Sequence, residues 1–98
     1  MFTAPTIHQP ADRFDVHQVE RFRAEVARAT GDIVVDLGRT RFLDVAALYA
    51  LVDARAALVD RGSELWIDGL SKTARITLEL AGLAEAFPRF DRTEEVAA

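Results

Sequence analysis

The chain has 98 residues, of which 50% are hydrophobic and 29% charged, and its formal net charge is −4. This length suits a single domain with one hydrophobic core. The acidic balance argues against a general nucleic-acid binder, which needs a basic face. Cysteine is absent, which excludes disulfides and thiol catalysis. The sequence has no apolar run of about 18 residues and no secretion signal at its start, so we expect a cytoplasmic protein without direct membrane insertion.

The first predicted helix begins after Asp15, which forms a capping-box pattern with Gln18. Val19, Phe22 and Val26 then recur at helical spacing and predict the buried face of this helix. Charged side chains occupy the positions between them. The pattern is therefore that of an amphipathic helix lying on a core.

Two strands and two further helices follow. The apolar runs IVVDL (33–37) and ELWID (64–68) are typical of strands, the first of them covered on both faces. Between them a helix is predicted from about Val45 to a terminating Gly62. We expect its inner side to carry Leu48, Leu51, Val52, Leu58 and Val59. A third helix is predicted over residues 72–81, and its expected inward-facing residues are Ile76, Leu80 and Leu83.

The two ends of the chain add minor elements. Residues 1–10 are expected to supply one short strand, although Pro5 and Pro10 interrupt it. The segment FPRF (87–90) predicts a short edge strand, because a proline cannot donate to an interior ladder. A second capping-box pattern in residues 91–94 predicts a final short helix.

The alternation of helices and strands predicts parallel pairing with right-handed crossovers. The predicted fold class is α/β, with a mixed but mostly parallel sheet of about four strands and helices packed on it. The whole chain, residues 1–98, forms the one predicted domain.

The sequence offers little for catalysis or cofactor binding. His8 and His17 are not spaced as metal ligands, so they are interpreted as surface histidines. All five glycines stand singly, which excludes the usual phosphate-binding loops. Asp36 and Asp44 flank a strand–loop–helix junction, but Asp44 is well placed as a helix N-cap and no nucleophile–base pair accompanies either residue. We therefore predict a protein that is not an enzyme and binds no cofactor.

The segment from residue 33 to residue 87 resembles a STAS domain, the fold of bacterial anti-sigma-factor antagonists, and the similarity covers the chain from about Asp12 to its end. The resemblance depends on VVDL (34–37), on FLD (42–44) before the second helix, and on LELAGL (78–83) in the third. RFDV (13–16) resembles the segment that opens the family's first helix. Family members usually have a β-hairpin before that helix, so we expect the N-terminal strand region to be shortened here.

The resemblance also implies a functional site. In the family, the residues after FLD usually read Asp-Ser-Ser-Gly or Asp-Ser-Thr-Gly, and a partner-switching kinase phosphorylates the second hydroxyl residue. Here Asp44 keeps the Asp, Val45 takes the first Ser, Ala46 takes the phosphoacceptor position and Ala47 takes the Gly. The resemblance thus implies a non-catalytic, protein-binding regulator that cannot be phosphorylated at this position. The partner-binding residues that it implies are Arg41, Phe42, Asp44, Val45, Ala46, Ala47, Leu48 and Tyr49.

The resemblance leaves the partner open between two classes. The first is an anti-sigma factor of the histidine-kinase-like ATPase type, which is also the serine kinase, acting in transcription regulation. The alternative is that the chain is an accessory subunit of an ABC-type lipid transporter or part of a signalling scaffold, with an ABC ATPase subunit or another STAS protein as partner. The missing hydroxyls fit either class, and they also fit a site that has decayed into an inert scaffold.

Overall fold

The computed structural model describes residues 5–10 and 12–90. The elements in chain order are β1 (Thr6–His8), β2 (Arg13–Phe14), α1 (Val16–Arg28), β3 (Ile33–Leu37), β4 (Phe42–Leu43), α2 (Val45–Asp60), β5 (Leu65–Leu70) and α3 (Lys72–Leu80). The predicted strand from residues 1–10 is therefore present as β1. The capping-box prediction for residues 91–94 lies outside the described residues.

The strands form a parallel sheet with the order β1-β3-β5 and a separate parallel pair, β2–β4. Arg89 adds a parallel bridge to Ile67 in β5, where an edge strand was predicted. Every strand pair within the described residues is parallel, so the antiparallel component of a mixed sheet is not seen there. The predicted α/β class, with helices packed on a mostly parallel sheet, is confirmed.

The buried residues of α1 match the prediction, whereas those of α2 match it only in part. In α1 the buried residues are Val19, Phe22 and Val26, as predicted. In α2 the prediction is wrong for Val52 and Val59, which are 40% and 50% exposed. Leu48, Leu51 and Leu58 are buried as expected, and the remaining buried positions are Ala47, Ala50 and Ala54. Small side chains on this face allow the α2 backbone to lie close to its neighbours.

The predicted inner face of α3 is wrong for two residues. Ile76 is 44% exposed and Leu80 is 85% exposed, whereas Ala74 and Leu78 are buried. The start of the helix fixes this orientation. Ser71 caps it by accepting a hydrogen bond from the Ala74 amide at 3.0 Å, and its hydroxyl also donates to the carbonyl of Thr40. These two bonds tie the first turn of α3 to the loop before β4.

His8 is buried, which corrects its interpretation as a surface residue. Strand alternation turns its ring towards the helices, where it lies 5.9 Å from the ring of Phe14 and 5.0 Å from that of Phe22. Its Nδ1 atom lies 2.5 Å from a carboxylate oxygen of Glu25 in α1, whereas its Nε2 atom is buried without a hydrogen-bond partner in the described residues. His17 is exposed, as predicted.

Candidate functional site

The candidate site is built where two helices start side by side. Strand β2 pairs with β4 in the register Arg13–Phe42 and Phe14–Leu43. Each strand runs into a helix after a single N-cap residue, so the parallel pairing brings the N-termini of α1 and α2 together. Phe14 and Leu43 are buried beneath this junction and anchor it in the core.

Asp44 links the two helix starts. One of its carboxylate oxygens accepts a hydrogen bond from the Ala47 amide of α2 at 2.9 Å. The other accepts from the Val16 amide, the first of α1, at 3.1 Å. The predicted N-cap role is thus accompanied by a second hydrogen bond to α1. Asp36, the other carboxylate considered for catalysis, accepts instead from the amide of Gly38 and the side chain of Gln9.

The neighbouring helix start is held by Asp15. Its carboxylate accepts hydrogen bonds from the His17 amide at 3.0 Å and from Nε of Arg13 at 3.1 Å, and Gln18 completes the predicted capping box. Burial alone would raise the pKa of Asp15, but these hydrogen bonds outweigh it and hold the pKa below its usual value. The guanidinium carbon of Arg13 lies 4.2 Å from the centre of the Phe42 ring, a cation–π contact.

Arg41 is paired at the rim of the site. Its Nε atom lies 2.5 Å from a carboxylate oxygen of Asp12, and this hydrogen bond raises the pKa of Arg41 further above its already high value. Both side chains are largely exposed, so the pair contributes little stability. Its effect at the site is to neutralise charge. The arginines at the rim are thus matched by acids of the same chain.

The surface between these paired charges is apolar. Val45 and Tyr49 of α2 are 62% and 65% exposed, and Val16 of α1 is 57% exposed beside them. Phe42 is 43% exposed and Ala46 is half-buried. Sequence reasoning missed Val16, because its position beside Val45 depends on the β2–β4 pairing.

Two members of the predicted partner-binding set are corrected by their burial. Ala47 is fully buried and Leu48 is 9% exposed, since both belong to the core cluster beneath α2. Neither can present a substantial area to another molecule without displacement of the helix. The surface available to a partner therefore lacks Ala47 and Leu48, on the core side of α2. On the side of α2 that faces α1, it extends to Val16.

The chemistry that this site supports is contact with another apolar surface. The first turn of α2 carries no hydroxyl, thiol or imidazole group. Across residues 5–10 and 12–90, no three His, Cys, Asp or Glu side chains are grouped to hold a metal ion. The same residues contain no helix that is both long and apolar enough to cross a membrane.

Comparisons with known proteins agree with this fold. The family described as "Mlab, STAS domain" matches residues 11–89 of the chain. A solved structure of the anti-sigma factor antagonist SpoIIAA in its unphosphorylated form superimposes with a TM-score of 0.77. That match covers 98% of this chain and 89% of the SpoIIAA chain at 20% sequence identity, so it bears on the fold alone. No curated protein sequence matches the chain.

Proposed function

Because the chain belongs to the STAS domain family, we propose that it is a non-catalytic, protein-binding regulator of the anti-sigma-factor-antagonist type. Its proposed partner is an anti-sigma factor of the histidine-kinase-like ATPase type, bound at the exposed start of α2. One observation carries the proposal: an accessible helix start in which Val45 and Ala46 offer hydrocarbon, with no aliphatic hydroxyl, beside the exposed ring of Tyr49. The proposal requires a cytoplasmic location, where such an ATPase has access to ATP.

Within this proposal, Ala46 occupies the family's phosphoacceptor position and Ala47 its glycine position. The burial of the two residues supports the assignment. Ala47 is fully buried, where a small residue is needed, whereas the side chain of Ala46 is partly accessible to a partner. Asp44 retains the family's acid and holds the helix start in place through two backbone amides.

The missing hydroxyl has a direct physical consequence. A phosphoserine carries a charge of about −1.5 to −2 at neutral pH, and inside an apolar interface it disrupts binding by repulsion and by its desolvation cost. A methyl group at residue 46 cannot acquire this charge. We therefore propose that the complex with the ATPase persists in the presence of ATP.

Isothermal titration against a purified anti-sigma ATPase tests the surface. Replacement of Ala46 by Glu places a carboxylate within the proposed contact, and we expect the affinity to fall at least tenfold. Ala27→Glu is the matched control, because it makes the same substitution at an exposed position of α1 far from the helix start. Equal affinities for Ala46→Glu and the wild type would show that the surface is wrongly assigned.

Incubation with the ATPase and ATP, followed by mass spectrometry, tests whether the complex persists in the presence of ATP. We expect no phosphate on the chain and an undiminished complex. Thr40 is fully buried and Ser71 is engaged as a helix cap, which disfavours modification of either hydroxyl. Phosphate on Thr40, Ser71 or Thr73, accompanied by loss of the complex, would refute persistent binding.

A second candidate function is an accessory subunit of an ABC-type lipid transporter. The observation that favours it is the description of the matching family, "Mlab, STAS domain", which differs from that of the anti-sigma factor antagonist found by structure comparison. Co-purification of the tagged chain from its native cells separates the two candidates. An ABC ATPase in the complex supports the transporter, and a histidine-kinase-like ATPase supports the antagonist.

A further inference from the structure

Helix α2 carries a second apolar face on its solvent side. Val45, Tyr49, Val52, Ala56 and Val59 are all exposed, and they follow one another in alternating steps of four and three residues. We call these five residues the outer stripe. At 100° per residue they lie opposite the buried positions of α2. The buried positions are Ala47, Leu48, Ala50, Leu51, Ala54 and Leu58.

The outer stripe has the spacing of a helix–helix seam. A surface helix normally turns polar residues to the solvent, and a helix that is apolar on all sides is normally buried. Alternating steps of four and three residues repeat every seven residues, which is the pattern of the a and d positions of a coiled coil. Exposed apolar residues in one continuous row mark an interaction surface rather than scattered surface hydrophobics.

A groove accompanies the outer stripe along its side facing the end of α3. It consists of two adjoining hollows of about 350 and 640 Å³, which share Val52 and Leu83. Ala81, directly after α3, lines the smaller of the two hollows. An α-helix has a diameter of about 10 Å with its side chains. The two hollows follow α2 from Val45 to Val59, a length of about 21 Å at the helical rise per residue, along which a partner helix can lie.

The charges beside the outer stripe indicate which kind of helix would bind. Asp53 and Asp60 lie on its flank towards α1, together with Arg23, which forms an exposed ion pair with Asp53 at 3.3 Å. On the opposite flank, Arg55 is occupied by the carboxylate of Glu64 at 2.8 and 3.1 Å. The side chain of Arg61, also on the flank towards α1, donates to the Val26 carbonyl at 2.8 Å, which leaves Asp60 as a carboxylate without an ion pair in the described residues. A second copy packed antiparallel on this seam would set these carboxylates against their own counterparts, which disfavours self-association.

We infer that the outer stripe binds an amphipathic helix of a partner protein, with apolar residues at heptad a and d positions and Lys or Arg facing Asp53 and Asp60. The inference rests on the proposed function, because Val45 and Tyr49 belong to both surfaces. It adds the secondary structure and the charge of the partner's contacting segment. It also extends the contact by about two helical turns beyond the start of α2.

Synthetic helical peptides of about three heptads test the inference with the full chain. One peptide has Leu at a and d and Lys at the flanking positions, and its matched control has Glu in place of each Lys. By fluorescence anisotropy we expect the Lys peptide to bind at least tenfold more tightly than the Glu peptide. The double substitution Asp53→Lys and Asp60→Lys should reverse this preference.

Variants of the chain locate the peptide. Val52→Asp places a charge in the middle of the outer stripe and should abolish binding of the Lys peptide. Ile7→Asp is the control, because Ile7 is 56% exposed on β1, on the sheet face turned away from the helices. Circular dichroism establishes that both variants are folded. Equal binding of the two peptides, or undiminished binding by Val52→Asp, would overturn the inference.

Two further outcomes are distinguished by the same variants. A dimer in sedimentation equilibrium that Val52→Asp dissociates would make a second copy the occupant and overturn the assignment to a partner protein. If Ala46→Glu weakens binding of the ATPase whereas Val52→Asp affects neither the ATPase nor the peptides, this inference fails and the proposed function stands. If Val52→Asp blocks the peptide while Ala46→Glu leaves the ATPase complex intact, the outer stripe stands and the proposed site fails.

Discussion

Asp44 accepts hydrogen bonds from the first turns of two helices, so its removal leaves two backbone amides without their acceptor. A lost N-cap costs about 0.5–2 kcal/mol, and a second orphaned amide adds to it. We expect Asp44→Ala to lower the free energy of unfolding by about 1–3 kcal/mol in urea denaturation. Asp44→Asn retains one acceptor oxygen and should lose roughly half as much. An equal loss in both variants would contradict the two-helix role.

The N-cap role of Asp44 could be predicted from the sequence because it depends on residues within one turn. Its bond to Val16 could not, since that residue lies 28 positions away and is brought near by the β2–β4 pairing. The burial of His8 was missed for a similar reason. Its polar partner, Glu25, is on α1, and a single sequence gives no indication of that contact.

The contact between Arg55 and Glu64 predicts a dependence of stability on pH. The hydrogen bond from Arg55 lowers the pKa of Glu64 in the folded chain. A carboxyl whose pKa is lowered in the folded state stabilises the fold at pH values above its unfolded-state pKa, which is about 4.3. That contribution is lost as the pH falls through the folded-state pKa. Urea denaturation should therefore show a stability difference between the wild type and Glu64→Gln that is constant above about pH 6 and shrinks below about pH 4.

Arg55→Met provides the control for this pH dependence. It removes the cation that lowers the pKa of Glu64, so the stability of this variant should lose the same component of its pH dependence. Adding Glu64→Gln to Arg55→Met should then change the profile little. A full additional effect in the double variant would show that the pair does not act as a unit.

At the scale of elements, the sequence predicted the buried face of α1 fully and those of α2 and α3 only in part. Helix α1 has charged residues between its apolar ones, so only one orientation buries its apolar side chains. Helix α2 is apolar on both sides, and the alanines that pack inward are less hydrophobic than Val52 and Val59, which do not. In α3 the spacing of Ile76 and Leu80 indicated an inner face, but the Ser71 cap set the helix in another orientation.

Gly69 illustrates how one residue shapes an element. Asp36 lies opposite Asp68 but Leu37 lies opposite Leu70, so Gly69 is an extra residue in β5, a β-bulge. Its φ of 69° is left-handed, and a Cβ there would lie 3.1 Å from an Asp36 carboxylate oxygen. We expect Gly69→Ala to lower the free energy of unfolding by about 1–2 kcal/mol from the backbone alone, with the contact adding to this cost.

Gly62→Ala separates the two contributions at Gly69. Gly62 ends α2 with a φ of 82°, but a Cβ there would meet no atom within 4 Å. Its substitution should therefore show the backbone cost without the contact. Urea denaturation should find Gly69→Ala the less stable of the two variants. Equal losses would mean that the Asp36 side chain moves aside without cost.

At the scale of the whole molecule, one core joins the inner faces of all three helices to one face of the sheet. Buried core residues such as Ala47 and Leu48 lie directly beneath the candidate surface at the start of α2, and they cannot move without disturbing the core. Such a surface is expected to dock with little change in its backbone. No separate segment among the described residues covers the site.

Restoring the hydroxyl should make the whole molecule switchable. In Ala46→Ser, a phosphate would lie in the first turn of α2, where the helix dipole favours it by about 0.3–1 kcal/mol. The nearby Asp44 carboxylate and the apolar contact with the partner oppose it. We expect unmodified Ala46→Ser to bind the anti-sigma ATPase within about twofold of the wild type, and the phosphorylated form at least tenfold more weakly, a difference of about 1.4 kcal/mol.

Val45→Ser is the matched control for this switch, since it adds the same hydroxyl one residue earlier on a side chain that is 62% exposed. If residue 46 occupies the phosphoacceptor position, ATP and the ATPase should label Ala46→Ser but not Val45→Ser, as read by mass spectrometry. The residue that is labelled therefore decides which position of this chain aligns with the family's phosphoacceptor. Labelling of Val45→Ser alone would move the phosphoacceptor position to residue 45 and put the proposed alignment one residue out.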